Sequence, residues 1–380
     1  MRTSIHLAVG TGVVVGLASL VVPLGAAAAG PPAGSGNDHA VFVQTNDLAG
    51  NQVVSYLRGP GGQLTFEARY NTGGLGAALT GAAVDKLASQ GSLAYDSGEH
   101  LLVAVNGGSN SITAFHVDGA RLDKGTVAAS GGSIPVSVTA GGGRIYVVNA
   151  GGTGSVQGFD EDTLRAIPGS NRSLNLTPGL TPQFLNTPGQ IGLTPDGRRL
   201  VVTTKANGSD IDVFGVSADG ALSSAPTVTP SVNPVPFGFT FDPAGDLVLT
   251  EVGTDALTAY AIHADGTVAE LGSIANGQAA LCWVTRAGTH YYGANAGSAT
   301  LTGYTVDANG NPAIVSQTAT DPGPIDLAAT PDGSFLYVQT GANGIVDGFR
   351  VHGDGSLTGT GGSVAPELPG HTGLEGIVVS

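Results

Sequence analysis

Few of the 29 acidic and 14 basic residues in this chain stand where a reaction could use them. Glu251 and Lys205 are the pair best suited to chemistry. A carboxylate can serve as general base for water while a nearby ammonium stabilises the developing oxyanion. A dry cleft tunes both groups. Glu251, Asp326 and Glu375 make a second constellation, three hard oxygen donors able to hold a divalent cation such as Ca2+. Asn106, Asn149, Gln190, Asn295 and His371 could hydrogen-bond a substrate. Each group also has a plainer reading, as a structural ion pair or a solvated rim charge.

Other chemistry is excluded more directly. Cys282 is the single cysteine, so no disulfide forms within the chain. It lies in the apolar run Ala280-Leu281-Cys282-Trp283-Val284 with no histidine nearby in the repeat frame, and reads as a buried thiol. No phosphate-binding Walker loop, serine nucleophile elbow or Cys-x-x-Cys occurs. The histidines are scattered and offer no zinc spacing. A formal net charge of −15 opposes nucleic acid and anionic membrane surfaces as partners.

A repeat must bring such distant residues together. Seven runs of short strands end at Thr45, Asn106, Asn149, Thr204, Glu251, Asn295 and Thr340. Nine to eleven residues after each comes an aromatic: Tyr56, Phe115, Phe159, Phe214, Tyr260, Tyr304, Phe349. These aromatics are spaced by 59, 44, 55, 46, 44 and 45 residues. A period near 45 built of short strands specifies an all-β, seven-bladed β-propeller with one four-stranded sheet per repeat. The first copy lacks an innermost strand, and residues 373–380 supply an unused one. The C-terminal strand is therefore expected to close the first blade and leave no unpaired terminal blade. Loops entering the inner strands share one face with loops leaving the second strands. That places the ends of the second strands, Lys205 after Thr204, and the strand starts at Gln190, Asp326 and Glu375 around one mouth. His371 precedes the closing strand on the same face.

Residues 1–29 read as a secretory signal peptide: Arg2, a mostly apolar stretch over 7–24, and small-residue cleavage sites at 26–29. Residues 30–39 are a flexible lead-in and 40–380 the propeller, giving a secreted, extracellular monomer. Two segments break the period, 71–90 and 175–190. Part of the first, 82–88, could form a short helix. Both fall on the loop face, where long loops carry binding or cover the channel.

The pattern P-x-G, strand, N-x-G-S-x-x-I-x-x-F, then D-G-x-L resembles the lactonase-type seven-bladed propellers. That family includes the 6-phosphogluconolactonases and carboxymuconate cyclases. The likeness extends to a secreted actinobacterial branch. It is carried by Gln90-Gly91-Ser92-Leu93, Asn106-Gly107-Gly108-Ser109-Asn110-Ser111-Ile112, Pro236-Phe237-Gly238-Phe239-Thr240-Phe241-Asp242, Cys282-Trp283 and Gly323-Pro324-Ile325-Asp326-Leu327, and it spans residues 40–380. The resemblance implies a hydrolase or cycloisomerase acting on a small-molecule lactone or sugar acid. The family's enzymes often open inner strands with Pro-Arg-His or Pro-His. Here the matching starts are Pro188-Gly189-Gln190, Pro236-Phe237-Gly238 and Pro324-Ile325-Asp326. That difference leaves a second expectation standing: a non-catalytic extracellular propeller that binds a small ligand, a glycan or a protein.

Overall fold

The structure, a computed structural model, describes residues 39–364 and 374–380. The expected leader and His371 lie outside the described residues. The described strands form seven sheets, each one blade. Blade five shows the plan: Pro236–Phe241, Leu247–Glu251, Ala256–Ile262 and Val268–Ala275 run antiparallel from the axis outward. The seven inner strands contact one another in sequence around a closed ring.

Burial explains why the second strands are apolar without alternation. Each blade is sandwiched between two others, so both of its faces are covered, unlike a sheet with one face in water. Leu247–Glu251 is buried at every position, whereas the outermost strand of blade one, Leu64–Asn71, is largely exposed or half-buried. The seven repeat aromatics stand on the third strands, and all are buried. Each pairs with an apolar or aromatic residue of the second strand, as in Leu102 with Phe115, Leu336 with Phe349 and Tyr291 with Tyr304. Each fully buried side chain of this size contributes roughly 1.5–3 kcal/mol.

The ring closes as expected. Glu375–Val379 pairs antiparallel with Ala40–Gln44, which continues to Gln52–Arg58 and Leu64–Asn71. Gly376 makes the closure possible. Its φ is +58°, and a Cβ there would lie 2.7 Å from the Leu93 Cβ on the inner strand of blade two.

The expected helix over 82–88 does not form; this stretch is a series of turns and bends. Its backbone donors are taken by side chains instead. Asp85 accepts from Ala88 N at 2.6 Å and Ser89 N at 2.9 Å, and Glu375 accepts from Leu87 N at 2.9 Å. Such local bonds compete with the helical ladder, and Ala88 sits at φ +50°, outside the helical region.

Candidate functional site: a plugged channel and a cleft beside it

The first insertion enters the channel and fills its mouth. Within residues 87–91, polar atoms find partners on several different blades. Leu87 N bonds Glu375 of blade one, and Ser89 Oγ bonds the Val136 carbonyl of blade three at 2.7 Å. The Trp283 indole N–H donates to the Ser89 carbonyl at 3.0 Å, and Gly91 N donates to Asp326 Oδ2 at 3.0 Å. The Gln90 amide donates to the Val284 carbonyl at 2.8 Å and the Phe239 carbonyl at 3.3 Å. Gly238 must lack a side chain, because a Cβ there would lie 2.6 Å from the Cys282 carbonyl and would also strike Gln90. The segment is thus a hub that ties blades together. Below it the channel continues as a cavity of about 310 Å³ with no charged lining residue.

Glu251 and Lys205 do not form one constellation. Glu251 is buried with its carboxylate saturated: it accepts from Tyr260 OH at 2.6 Å, Thr258 Oγ1 at 2.5 Å, Asn233 Nδ2 at 2.7 Å and Asn233 N at 3.2 Å. Lys205 is buried elsewhere, its ammonium over the Phe237 ring at 5.3 Å from the centroid. The titratable groups close enough to act on it are Asp85, Cys282 and Glu375, with Glu251 not among them. Burial pulls the ammonium down to about 7 against those three groups.

Asp326 and Glu375 do reach the channel, as buried groups rather than rim charges. Asp326 accepts from Gly91 N and Leu327 N, yet burial pushes its carboxyl up to about 7. Glu375 faces Asp85, and burial with that neighbouring carboxylate holds its proton well above the ordinary range. Glu251 is absent from this group, so the three expected cation ligands do not assemble. Among the described residues no cluster of three or more His, Cys, Asp or Glu side chains is placed to hold a metal ion.

The amides expected at the mouth are spent on the scaffold. Asn106 Nδ2 donates to Thr113 Oγ1 at 2.9 Å, and Asn295 Nδ2 to Thr302 Oγ1 at 2.9 Å. With Glu251 and Thr258 these make one recurring device: the last residue of a second strand tied to a threonine seven positions on. Asn149 donates to the Ser130 carbonyl at 3.2 Å, and Gln190 clamps the Phe239 backbone through both ends of its amide. The cause is geometric. Blades stand radially, so residues of a second strand project toward neighbouring blades, and only inner strands border the axis. Asp85, Gln90 and Trp283 are the groups sequence reasoning missed. The one available signal was Asp85 itself, the only acid in the insertion.

Beside the plug, the same face carries a cleft of about 710 Å³. Both insertions wall it: Thr80 and Gly81 from the first, 177–183 and Asn186–Thr187 from the second, with Ser133, Ile134 and Ala150–Gly152 of blade three opposite. The insertions meet there, Thr80 N donating to Gln183 Oε1 at 2.9 Å. The lining mixes proline, leucine and isoleucine with hydroxyls and amides and contains no charged side chain.

No protein-family profile matches the chain, and no curated protein matches it. Solved structures do. The periplasmic gluconolactonase of Pseudomonas aeruginosa is 18% identical, with a TM-score of 0.66 over 89% of this chain and 98% of that one. A candidate 6-phosphogluconolactonase from Bacteroides fragilis is 20% identical, with a TM-score of 0.65 over 87% and 95%. A protein from Lactobacillus plantarum is 21% identical, with a TM-score of 0.66 over 86% and 96%. The chain therefore has the fold of the lactonase-like propellers. Identity at this level carries the fold and not the activity. No helix among the described residues is long and apolar enough to cross a membrane.

Proposed function

We propose that this protein is an exported, lactonase-like propeller that binds a neutral, hydroxylated small molecule, a sugar or its lactone, in the cleft between the two insertions. The observation that carries the reading is the cleft's uncharged wall. Its volume, about 710 Å³, falls within the usual range of ligand sites. Hydroxyls and amides suit a sugar's own hydroxyls, and the proline and leucine surfaces suit its C–H faces. In a protein of net charge −15, a cleft without a cation has nothing to hold an anionic sugar acid.

The hydrolytic alternative asks for a base and a donor that meet one substrate. Glu251 and Lys205 are both fully buried and engaged by separate partners, which favours binding over turnover. Export rests on the residue pattern of positions 1–29 and agrees with the periplasmic origin of the P. aeruginosa neighbour.

The test is calorimetric titration of the purified protein with D-glucose, D-glucono-δ-lactone and D-gluconate, beside a lactone-hydrolysis assay. The neutral compounds should bind and gluconate should not. Leu180→Trp, which fills the cleft from an exposed position, should remove binding and leave the melting temperature unchanged. Lactone turnover by the wild type that Leu180→Trp abolishes would overturn the reading in favour of catalysis in the cleft.

A further inference from the structure

Lys205 invites a different question: why an ammonium is buried where no substrate reaches it. It follows the second strand of blade four, Arg199–Thr203, at φ +52° and is 0% exposed. An unpaired buried ammonium is costly, but this one uses all three of its donors. Nζ donates to the Ala88 carbonyl at 2.5 Å, the Phe184 carbonyl at 2.6 Å and Thr187 Oγ1 at 3.0 Å. The first acceptor belongs to insertion 71–90 and the other two to insertion 175–190.

The chain of contacts continues on both sides. The Ala88 N–H is itself held by Asp85, whose charge acts on Lys205 across the first insertion. Phe184 N reaches back to the Thr80 carbonyl at 3.4 Å. Thr187 lines the cleft directly, as do Thr80 and Gln183. Two direct ties join the insertions, an exposed one from Thr80 N to Gln183 Oε1 and a backbone bond from Gln90 N to the Gly189 carbonyl at 2.9 Å at their far ends, whereas the tie through Lys205 is buried and joins their middles. Water competes with the Gln183 tie and not with the Lys205 tie, so beside the cleft the Lys205 tie is the stronger.

We propose that Lys205 is a positioning residue that fastens the two insertions to one another and to blade four, and so sets the shape of the cleft. The consequence for ligand binding rests on the function proposed above, while the fastening itself does not. An apolar side chain would fill the same volume, leave the buried Ala88 carbonyl unmatched and leave the Phe184 carbonyl and the Thr187 hydroxyl only their 3.4 Å bond to each other, which loosens both insertions at once.

Hydrogen–deuterium exchange on the full-length protein tests this without any ligand. In Lys205→Met, amides of 80–90 and of 177–187 should exchange together, about tenfold faster or more, with the strands of the seven blades unchanged. Thr187→Val, a milder change that removes one acceptor on the second insertion, should quicken exchange at Ala88 and Ser89 of the first. It also serves if Lys205→Met does not fold. A merely local role would confine each effect to one insertion, and that result, or no change in either, overturns the proposal. Titration of Lys205→Met with D-glucose and D-glucono-δ-lactone should show weaker binding than wild type. If the wild type binds neither sugar, the ligand reading fails and the exchange data still judge the fastening.

Discussion

Removing residues 374–380 should abolish the cooperative fold. This strand is the inner strand of blade one, and four of its residues pair with Val41, Phe42, Val43 and Gln44. At about 1 kcal/mol net per backbone hydrogen bond, those positions contribute roughly 4 kcal/mol. Leu374 and Ile377 are each 4% exposed and pack in the cluster that holds Val41, Val43, Ile325 and Leu327. Their burial adds roughly 3–6 kcal/mol. Gln339 Nε2 would also lose the carbonyl of Gly376, at 2.8 Å, and Leu87 N would lose Glu375. The total, about 7–10 kcal/mol, rivals the entire 5–15 kcal/mol stability of an ordinary domain. Urea unfolding followed by far-UV circular dichroism and Trp283 fluorescence reads the outcome. The truncated chain should show no cooperative transition, and Ile377→Ala should keep one with a stability loss of about 2–5 kcal/mol. A truncated protein that unfolds in one step at the wild-type midpoint would refute ring closure as the source of stability.

Two further outcomes follow from the buried carboxylates. Glu251→Gln puts an amide NH2 where Tyr260, Thr258 and Asn233 all donate. It should lower stability by about 2–4 kcal/mol in denaturant unfolding, and an unchanged midpoint would show that the carboxylate is not the anchor of blade five. Asp326 holds its proton up to about 7 when folded and releases it near the ordinary 3.8 when unfolded. The folded state thus binds the extra proton between those values, and the stability this confers is present at low pH and lost as pH rises through about 7. The wild-type midpoint should fall relative to Asp326→Asn between pH 4.5 and 8; parallel curves for the two proteins would contradict this.

The fold was legible because propeller constraints are local and repeat. Strand ends at Asn106, Asn149, Glu251, Asn295 and Thr340 fall where the sequence spacing put them, and those at Thr45 and Thr204 lie one residue beyond the strands. The aromatic after each end is buried because every third strand faces the same apolar second strand. Cys282 is a buried thiol, as its apolar run implied, and burial pushes its pKa upward. The meeting of both insertions on one face was equally predictable, since loop polarity follows strand order.

The site was not legible, and Lys205 and Glu251 show why. Both stand at the loop-face end of a second strand, and sequence places them one blade apart. Whether such a residue faces the axis or a neighbouring blade depends on the radial stacking of sheets, which no local pattern records. Nor could periodicity reveal that residues 85–91 turn inward. That path is set by donors and acceptors scattered over the other blades: Glu375, Val136, Lys205, Phe239, Trp283 and Asp326. By itself the sequence determined the ring, its closing strand and the face that carries the insertions. Only the tertiary structure decided which polar groups are sealed beneath the plug and which border the cleft, because burial arises from the whole ring closing around an aperiodic segment.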